Sequence, residues 1–194
     1  HKKGVTQRFD LNYILGLYFF LVFGYFLLVG NYIFHCQEQQ ILFVVTQEFL
    51  LKYFARPGGL LVLIGDFLSR LYIESFVGAL IISLFLSLTG LVFMKINIKL
   101  HIGKYLSLLL FLVPLSLLFL MQTHYYHKLE YNLGFLMVLI WFLIGLNINK
   151  KRYYWLFMFI CPLIQYFIGA YYWLFLIIYV SYILLFQKGE FFYI

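Results

Sequence analysis

The stretch SFVGALIISLFLSLTGLVFM, residues 75–94, decides the fold because it holds no charged residue over 20 positions. A helix needs about 20 mostly apolar residues to cross the hydrocarbon core of a bilayer. Four further uncharged runs lie on either side of it, at residues 11–34, 105–123, 131–149 and 153–187. Together the runs predict an all-α integral membrane protein that crosses the bilayer several times.

The composition supports this prediction and excludes other classes of protein. Apolar residues make up 65% of the chain, aromatic residues 23% and charged residues only 11%, a surface that a soluble domain could not cover. The formal net charge of +7 does not indicate nucleic-acid binding, because the basic residues lie at the ends of apolar runs. No cleavable signal peptide is recognisable. The chain begins with His1, so we expect it to be a fragment of a longer protein.

The runs predict about six transmembrane spans in a single membrane domain, residues 1–194. The last run has 35 uncharged residues and would form a helix about 52 Å long, well beyond the ~30 Å hydrocarbon core. We therefore divide it into two short spans folded back at Gly169 and Ala170, with one long broken helix as the alternative. The predicted spans are residues 11–34, 75–94, 105–122, 132–148, 153–168 and 171–187.

The distribution of charge between the loops predicts the orientation. Ten of the fourteen basic residues fall on one side of the membrane: Lys2, Lys3, Arg8, Lys95, Lys99, Lys104, Lys150, Lys151, Arg152 and Lys188. Five of the seven carboxylates fall on the other side: Glu38, Glu48, Asp66, Glu74 and Glu130. Cytoplasmic loops are enriched in Lys and Arg. We therefore expect a multi-pass protein of the bacterial cytoplasmic (inner) membrane with both termini in the cytoplasm and an outer face rich in carboxylates.

The segment between the first two spans, residues 35–74, is too apolar for a loop and too charged for a span. Residues 39–56 and 57–72 each place polar and apolar side chains at helical spacing, with Pro57-Gly58-Gly59 between them. We predict two amphipathic helices that lie in the membrane interface, with Pro57 at the first position of the second.

The second of these helices is expected to carry Asp66, Arg70 and Glu74 as one charged stripe, since they lie four residues apart. Gly58 and Gly59 permit a close backbone approach. They form either a plain turn between two helices or a turn that also contacts a ligand.

Candidate functional residues concentrate in the same segment. His35 and Glu38 share a face if the first helix continues, and a carboxylate at the edge of the membrane can act as a general base with His35 orienting it. Asp66 is a second candidate catalytic carboxylate. Arg56 and Arg70 suit a lipid phosphate, because a guanidinium offers paired donors. The ordinary alternatives are a solvated helix end, a surface ion pair worth under about 1 kcal/mol, and arginines that snorkel to the interface.

A second outer loop, THYYHKLEY, contains His124, His127 and Glu130. Together with the His-Glu pair after the first span, these residues offer ligands for a divalent metal. The chain has no HExxH or comparable motif, so no cofactor is certain and a divalent metal is kept only as the alternative. We interpret the loop as polar and aromatic residues at the membrane surface. The predicted spans lack Asp, Glu, Lys, Arg and His, which argues against a proton-driven transporter or a channel.

The order of these elements resembles a known family. One span, an outer segment with two amphipathic helices and acidic residues, and then further spans are similar to the amino-terminal module of the C-type membrane glycosyltransferases. The resemblance implies catalysis on a polyprenyl-phosphate-linked sugar at the outer face, with Glu38 as the acidic residue and Arg56 or Arg70 holding the phosphate. The chain departs from that family in having fewer spans and in lacking the common Asp, or Asp-Glu pair, after the first span.

A second resemblance is carried by HCQEQQILF, residues 35–43, and ARPGGLLVLIGDFLSRLY, residues 55–72. These stretches are similar to an uncharacterised family of bacterial membrane proteins. The sequence as a whole predicts a membrane glycosyltransferase-like protein that acts on a lipid-linked sugar. The alternative is a non-catalytic membrane subunit of a cell-envelope assembly, with membrane or periplasmic protein partners. Both predictions involve membrane lipid, and neither involves nucleic acid.

Overall fold

The computed structural model describes residues 2–40, 46–148 and 151–186, and the secondary structure in these ranges is helical. The α-helices are α1 (Lys2–Leu28), α2 (Asn31–Gln40), α3 (Gln47–Phe54), α4 (Gly59–Arg70), α5 (Ser75–Lys99), α6 (Lys104–Gln122), α7 (Leu129–Asn147), α8 (Lys151–Ile168) and α9 (Tyr171–Phe186). A 3₁₀ turn at Leu71–Ile73 joins α4 to α5.

Helix length and composition identify three or four candidate membrane spans in the described part of the chain. The helices α5, α6 and α7 are each long and apolar enough to cross a bilayer, and α1 with α2 would make a fourth span that is bent by 69°. Two shorter apolar helices follow, Phe159–Ile168 and Tyr171–Leu184. The prediction of an all-helical fold is confirmed for the described residues, and three or four of the helices could cross a membrane. Six spans go beyond what length and composition establish.

The first predicted span is not one continuous helix, because the chain bends at Gly30. The N–H of Gly30 donates to the carbonyl oxygen of Tyr25 at 3.0 Å, and a Cβ at position 30 would lie 2.9 Å from the ring of Phe26. After the bend, α2 packs against α4 and the 3₁₀ turn, with the rings of Phe34 and Tyr72 5.0 Å apart. The polar end of α2 therefore lies beside α4.

The prediction of one helix over residues 39–56 is wrong. The helix α2 ends at Gln40, and residues 41–45 lie outside the described part of the chain. Thr46 has an extended backbone, and its hydroxyl accepts a hydrogen bond from the N–H of Phe49 at 3.3 Å. A threonine in this position caps a new helix, so α3 starts independently of α2.

The predicted break between two helices is confirmed. The helix α3 ends at Phe54 and α4 begins at Gly59. Pro57 lies in the intervening turn and not at the first position of α4, because Gly58 caps that helix with a left-handed φ of 78°. A residue with a Cβ adopts that conformation at a cost, so the glycine sets where α4 starts.

The helix α4 packs against α7 and α8 and turns its small and polar residues inward. The buried positions are Gly59, Leu61, Gly65, Asp66 and Ser69. Large apolar side chains point away from the bundle, among them Ile64, Phe67 and Leu71. The predicted stripe is therefore divided, since Asp66 is only 9% exposed whereas Arg70 and Glu74 are exposed. Such an arrangement suits lipid, because small residues let helices approach closely while lipid solvates the apolar face.

The last two helices form a hairpin that reverses at Gly169, the predicted position. The ring of Tyr171 lies on Gly134, 2.6 Å from where a Cβ would be, and the ring of Tyr179 lies on Gly145 at 3.1 Å from such a Cβ. A residue further along α9 therefore contacts a residue further along α7. The helix α9 consequently runs along α7 in the same direction, and α8 runs in the opposite one.

Two left-handed glycines bring the α3–α4 turn against the α8–α9 turn. Gly58 has φ 78° and Gly169 has φ 61°, and a Cβ on Gly169 would lie 2.9 Å from the Cα of Gly58. The N–H of Gly58 donates to the carbonyl oxygen of Tyr166 at 2.8 Å. The hydroxyl of Tyr166 donates in turn to the carbonyl oxygen of Phe54. The helices α3 and α4 are thereby tied to the hairpin formed by α8 and α9.

Replacing Gly169 with Ala should lower the midpoint of thermal unfolding of the detergent-solubilised protein. The left-handed conformation costs a residue with a Cβ about 1–2 kcal/mol, and the added methyl would collide with Gly58. Gly16→Ala is the matched control, since nothing lies within 4 Å of a Cβ there, and it should leave the midpoint unchanged or raise it slightly. Equal midpoints for Gly169→Ala and the wild type would contradict the contact.

Candidate functional site at the carboxylate end

Four carboxylates mark one end of the helix bundle, which we call the carboxylate end: Glu38, Asp66, Glu74 and Glu130. The helices α5 and α7 both begin there, α6 ends there, and the α8–α9 turn meets the α3–α4 turn beside them. At 1.5 Å per residue, the far end of α5 lies about 37 Å away. Lys95, Lys99 and Lys104 mark that opposite end, which we call the lysine end.

An ion pair joins α2 to α4 at the carboxylate end. The Nη1 atom of Arg70 lies 3.5 Å from Oε1 of Glu38, with 49% of the Arg70 and 27% of the Glu38 side chain exposed. A pair this exposed contributes under about 1 kcal/mol to stability. The structure thus brings the predicted base together with one predicted phosphate ligand. His35 lies exposed one turn earlier, so the contact that positions Glu38 comes from Arg70.

Asp66 is held by a side chain from the preceding helix. The hydroxyl of Tyr53 donates to Oδ2 of Asp66 at 2.8 Å, and the guanidinium carbon of Arg56 lies 5.2 Å from the centroid of the Tyr53 ring, within range of a cation–π contact. Burial, reinforced by the hydrogen bond to Asp66, raises the pKa of Tyr53 to about 12. The phenol therefore remains a donor at neutral pH, and Tyr53 contacts Asp66 through its hydroxyl and Arg56 through its ring.

Glu130 completes the charged group from α7. A Cβ on Gly65 would lie 3.0 Å from the Cβ of Glu130, so the glycine admits α4 directly onto the first turn of α7. The Oε2 atom of Glu130 is buried without a hydrogen-bond partner, and its charge interacts with those of Lys128, Asp66 and Arg56. Sequence reasoning placed Glu130 only in the alternative metal site. In the sequence, the only sign of this packing is Gly65, which lies next to Asp66 on α4.

A buried network of uncharged polar side chains lies next to this group, and sequence reasoning missed it. Gln37 donates through Nε2 to the carbonyl oxygens of His127 at 2.9 Å and Tyr125 at 3.1 Å. Asn132 donates to Oε1 of Gln122 at 2.6 Å, and its own Oδ1 lies 3.2 Å from Nε2 of His127. The network ties the α6–α7 loop to α2. In the sequence, the network could have been suspected from Gln37, Gln122 and Asn132, which lie near the ends of three apolar runs.

The loop between α6 and α7 only partly matches its prediction. Tyr125 and Tyr126 are exposed, as expected for aromatic residues at a membrane surface, but His127 is buried. Burial lowers the pKa of His127, and this effect outweighs the hydrogen bond to Asn132 that raises it. His124 stacks on Tyr126 at 5.3 Å between ring centroids. Within the described residues no three His, Cys, Asp or Glu side chains are arranged to hold a metal ion, so the alternative metal site is not formed there.

These features define a helical membrane protein whose apolar bundle ends in a cluster of charged and aromatic side chains. The chain belongs to a family of unknown function, DUF6057, whose model matches residues 8–194. No curated protein and no solved structure is significantly similar to the chain. The predicted membership of an uncharacterised family is confirmed, and this match adds no support for the resemblance to glycosyltransferases.

Protonation of His127 should destabilise the fold below neutral pH. Because its pKa is lower in the folded protein, the unfolded chain takes up the proton first as the pH falls. The stabilisation is complete above the unfolded pKa of about 6.5 and is lost as the pH falls through that value towards the folded pKa. The thermal midpoint in detergent, measured from about pH 8 to about pH 5, should therefore fall more steeply for the wild type than for His127→Gln.

His35→Gln is the control for this measurement, because His35 is exposed and is not among the groups that shift the pKa of His127. It should keep the pH dependence of the wild type. An identical pH dependence in His127→Gln and the wild type would show that the buried imidazole is not responsible.

Proposed function

We propose that this chain is a membrane glycosyltransferase-like protein that acts on a lipid-linked sugar at the outer face of the bacterial cytoplasmic membrane. The observation that carries the proposal is the convergence of two arginines and two carboxylates on one end of the bundle. Arg56 follows α3, Arg70 and Asp66 belong to α4, and Glu38 comes from α2. Cationic groups next to carboxylates are what the transfer of a sugar from a lipid phosphate requires.

The proposed topology has six spans and both termini in the cytoplasm. The α8–α9 hairpin supports it, because α9 follows the course of α7 while α8 opposes it. The separation of charge supports the orientation, since Lys95, Lys99 and Lys104 lie at the lysine end, which the positive-inside bias places in the cytoplasm. The carboxylate end then faces outward, with α3 and α4 at the depth of the lipid headgroups.

The two arginines are the proposed phosphate ligands. Arg56 is exposed, and its contact with the Tyr53 ring orients the guanidinium plane. Arg70 is half exposed and is already positioned by Glu38. A guanidinium can meet two phosphate oxygens with parallel hydrogen bonds. The exposed apolar side chains of α4, such as Phe67, provide contact for the lipid tail.

In the proposed reaction Glu38 removes the proton of an acceptor hydroxyl as that oxygen bonds to the anomeric carbon of the sugar. The bond from this carbon to the phosphate oxygen breaks, and the polyprenyl phosphate leaves with its negative charge facing the arginines. Asp66, held by Tyr53, is the second candidate catalytic carboxylate. Gly58 contacts Gly169 within the protein and Gly59 is buried, so any ligand contact near the proposed turn falls to the exposed surface of Arg56.

The alternative function, a non-catalytic subunit of an envelope assembly, is favoured by α6. Only 22% of its most apolar window is buried, against 50% for α5 and 56% for α7. Its exposed face includes Leu106, Leu109, Val113, Leu117 and Leu120. This face contacts either lipid or a helix of a partner protein.

The proposed topology predicts which cysteines a membrane-impermeant maleimide reaches in intact cells. The native Cys36 is exposed at the carboxylate end and should be labelled from outside. In a Cys36→Ser background, a cysteine introduced by Lys99→Cys should be labelled only after the membrane is permeabilised. Labelling of position 99 in intact cells would reverse the orientation.

The proposed lipid recognition predicts that Arg56→Gln weakens binding of undecaprenyl phosphate to the purified protein by about tenfold or more, because hydrogen bonds to charged groups contribute about 1.5–3 kcal/mol. Lys52→Gln removes an exposed cation from the neighbouring helix and is the matched control. It should change the affinity less than twofold. Equal effects of the two substitutions would indicate a non-specific electrostatic attraction.

The proposed base is tested separately from lipid binding. Glu38→Gln should retain undecaprenyl phosphate and abolish sugar transfer from a polyprenyl-phosphate sugar, because the amide cannot accept the proton. Arg70→Lys should weaken the binding of that lipid, since the bidentate fork is lost. Full function of Glu38→Gln in cells, with loss of function on substitution along α6, would favour the subunit over the enzyme.

A further inference from the structure

The α6–α7 loop holds the end of α2 through one buried side chain. Gln37 is 3% exposed, and its Nε2 donates to the carbonyl oxygens of His127 at 2.9 Å and Tyr125 at 3.1 Å. Because both acceptors are carbonyl oxygens, the nitrogen of the amide must face the loop, and Oε1 of Gln37 is left buried without a hydrogen-bond partner. An unmatched buried oxygen costs free energy. The polar contact of Gln37 with the loop therefore depends on these two bonds.

The loop is held in turn by a closed ring of hydrogen bonds around His127. Nε2 of the imidazole lies 3.2 Å from Oδ1 of Asn132, and the amide nitrogen of Asn132 donates to Oε1 of Gln122. The ring closes because Nε2 of Gln122 donates to the carbonyl oxygen of His127 at 3.4 Å. Since Oδ1 of Asn132 is an acceptor, the neutral imidazole carries its hydrogen on Nε2. A second proton goes to Nδ1 and puts a positive charge into this uncharged network.

The surroundings of His127 disfavour a charged imidazole. The residue is 7% exposed. Burial lowers the pKa of His127, the hydrogen bond to Asn132 raises it, and the charge of His124 lowers it further. Glu38 on α2 is paired with Arg70. Three further groups that carry charge near neutral pH lie on α2, the loop and the first turn of α7, namely His35, Lys128 and Glu130, and residues 106–122 of α6 contain none.

We propose that the α6–α7 loop is a pH-sensitive contact that releases the end of α2 when His127 takes up a proton in the folded protein. A buried charge without a counter-charge is costly, and the loop lies at the surface, with Tyr125 and Tyr126 exposed. An outward movement of the loop therefore hydrates the imidazolium and withdraws both carbonyl oxygens from Gln37. The release also loosens the ion pair of Glu38, the next residue of α2.

The release is confined to the end of α2 and has a defined direction with pH. Phe34 stays packed on Tyr72 and Gly78, so the helix remains anchored one turn before Gln37. Because burial lowers the pKa of His127 in the held state, the released state binds the proton more tightly. The held state predominates above about pH 6.5, and each pH unit from there towards the pKa of the held state shifts the equilibrium by up to about tenfold towards release. This change takes place within the folded protein, whether or not the carboxylate end transfers sugar.

The experiment follows a nitroxide spin label on Cys36, which is exposed on α2, whereas Cys161 is buried. The labelled full chain in detergent is titrated from about pH 8 to about pH 5, and electron paramagnetic resonance measures the mobility of the label. The ratio of mobile to immobile label in the wild type should rise by up to about tenfold per pH unit. The helical circular dichroism should stay constant, because the release leaves the helices intact. The variant Cys36→Ser identifies any signal from Cys161.

Three substitutions separate the roles of the residues involved. His127→Gln keeps a donor for Asn132 and removes the titrating group, so the label should stay immobile at every pH. Gln37→Leu removes both bonds to the loop, so the label should be mobile already at about pH 8 and should change little with pH. His101→Asn, between α5 and α6, is the matched control, because His101 is exposed and asparagine tolerates its positive φ of 53°. It should titrate as the wild type does.

A label whose mobility does not change with pH in the wild type, or changes equally in His127→Gln, would overturn the proposal. Loss of the helical signal in step with the mobility would also overturn it, because the protein would then unfold rather than release α2. If His127→Gln does not fold, Gln37→Leu decides, since an immobile label in that variant would mean that the two bonds do not hold α2.

Discussion

The bundle depends on rings and backbones packed directly onto glycine. Inside a bilayer the hydrophobic effect does not drive helices together, so close van der Waals contact must do so. A Cβ on Gly78 would lie 2.9 Å from the ring of Phe34, and a Cβ on Gly65 would lie 3.0 Å from Glu130. These contacts set the distance of α2 from α5 and of α4 from α7. The charged cluster is consequently placed by small residues, since its exposed ion pair is too weak to hold the helices.

Much of the fold could be predicted because apolar length and glycine turns are local signals. The runs behind α5, α6 and α7, the break before Gly59 and the reversal at Gly169 all agree with the structure. The bend at Gly30 was not predicted, because a single glycine in an apolar run does not distinguish a straight helix from a bent one. The helix cap at Thr46 was not predicted, because the spacing of the polar residues around it also fits one longer helix.

The candidate site was predictable to the extent that its residues share one segment. Arg56, Asp66 and Arg70 all lie between the first two apolar runs. The approach of Glu130 to Asp66 depends on how α4 docks on α7, for which the sequence has no local signal. The burial of Asp66 within the predicted charged stripe was not predicted for a related reason. An amphipathic pattern shows that the two faces of a helix differ, but it does not show which face is buried. In water the apolar face is buried, whereas in lipid the apolar face can be exposed and small or polar residues can face the neighbouring helices.

The tie between Tyr166 and the turn at Gly58 has a consequence for the order in which the protein is assembled. The hydroxyl of Tyr166 and the carbonyl of Phe54 are separated by 112 residues, and the ribosome delivers the chain from its amino terminus. While α5, α6 and α7 enter the membrane, the turn before α4 has no partner for its backbone amide. A nascent chain that stops short of α8 would already carry both arginines and every carboxylate of the cluster, yet lack the surface that holds them in register.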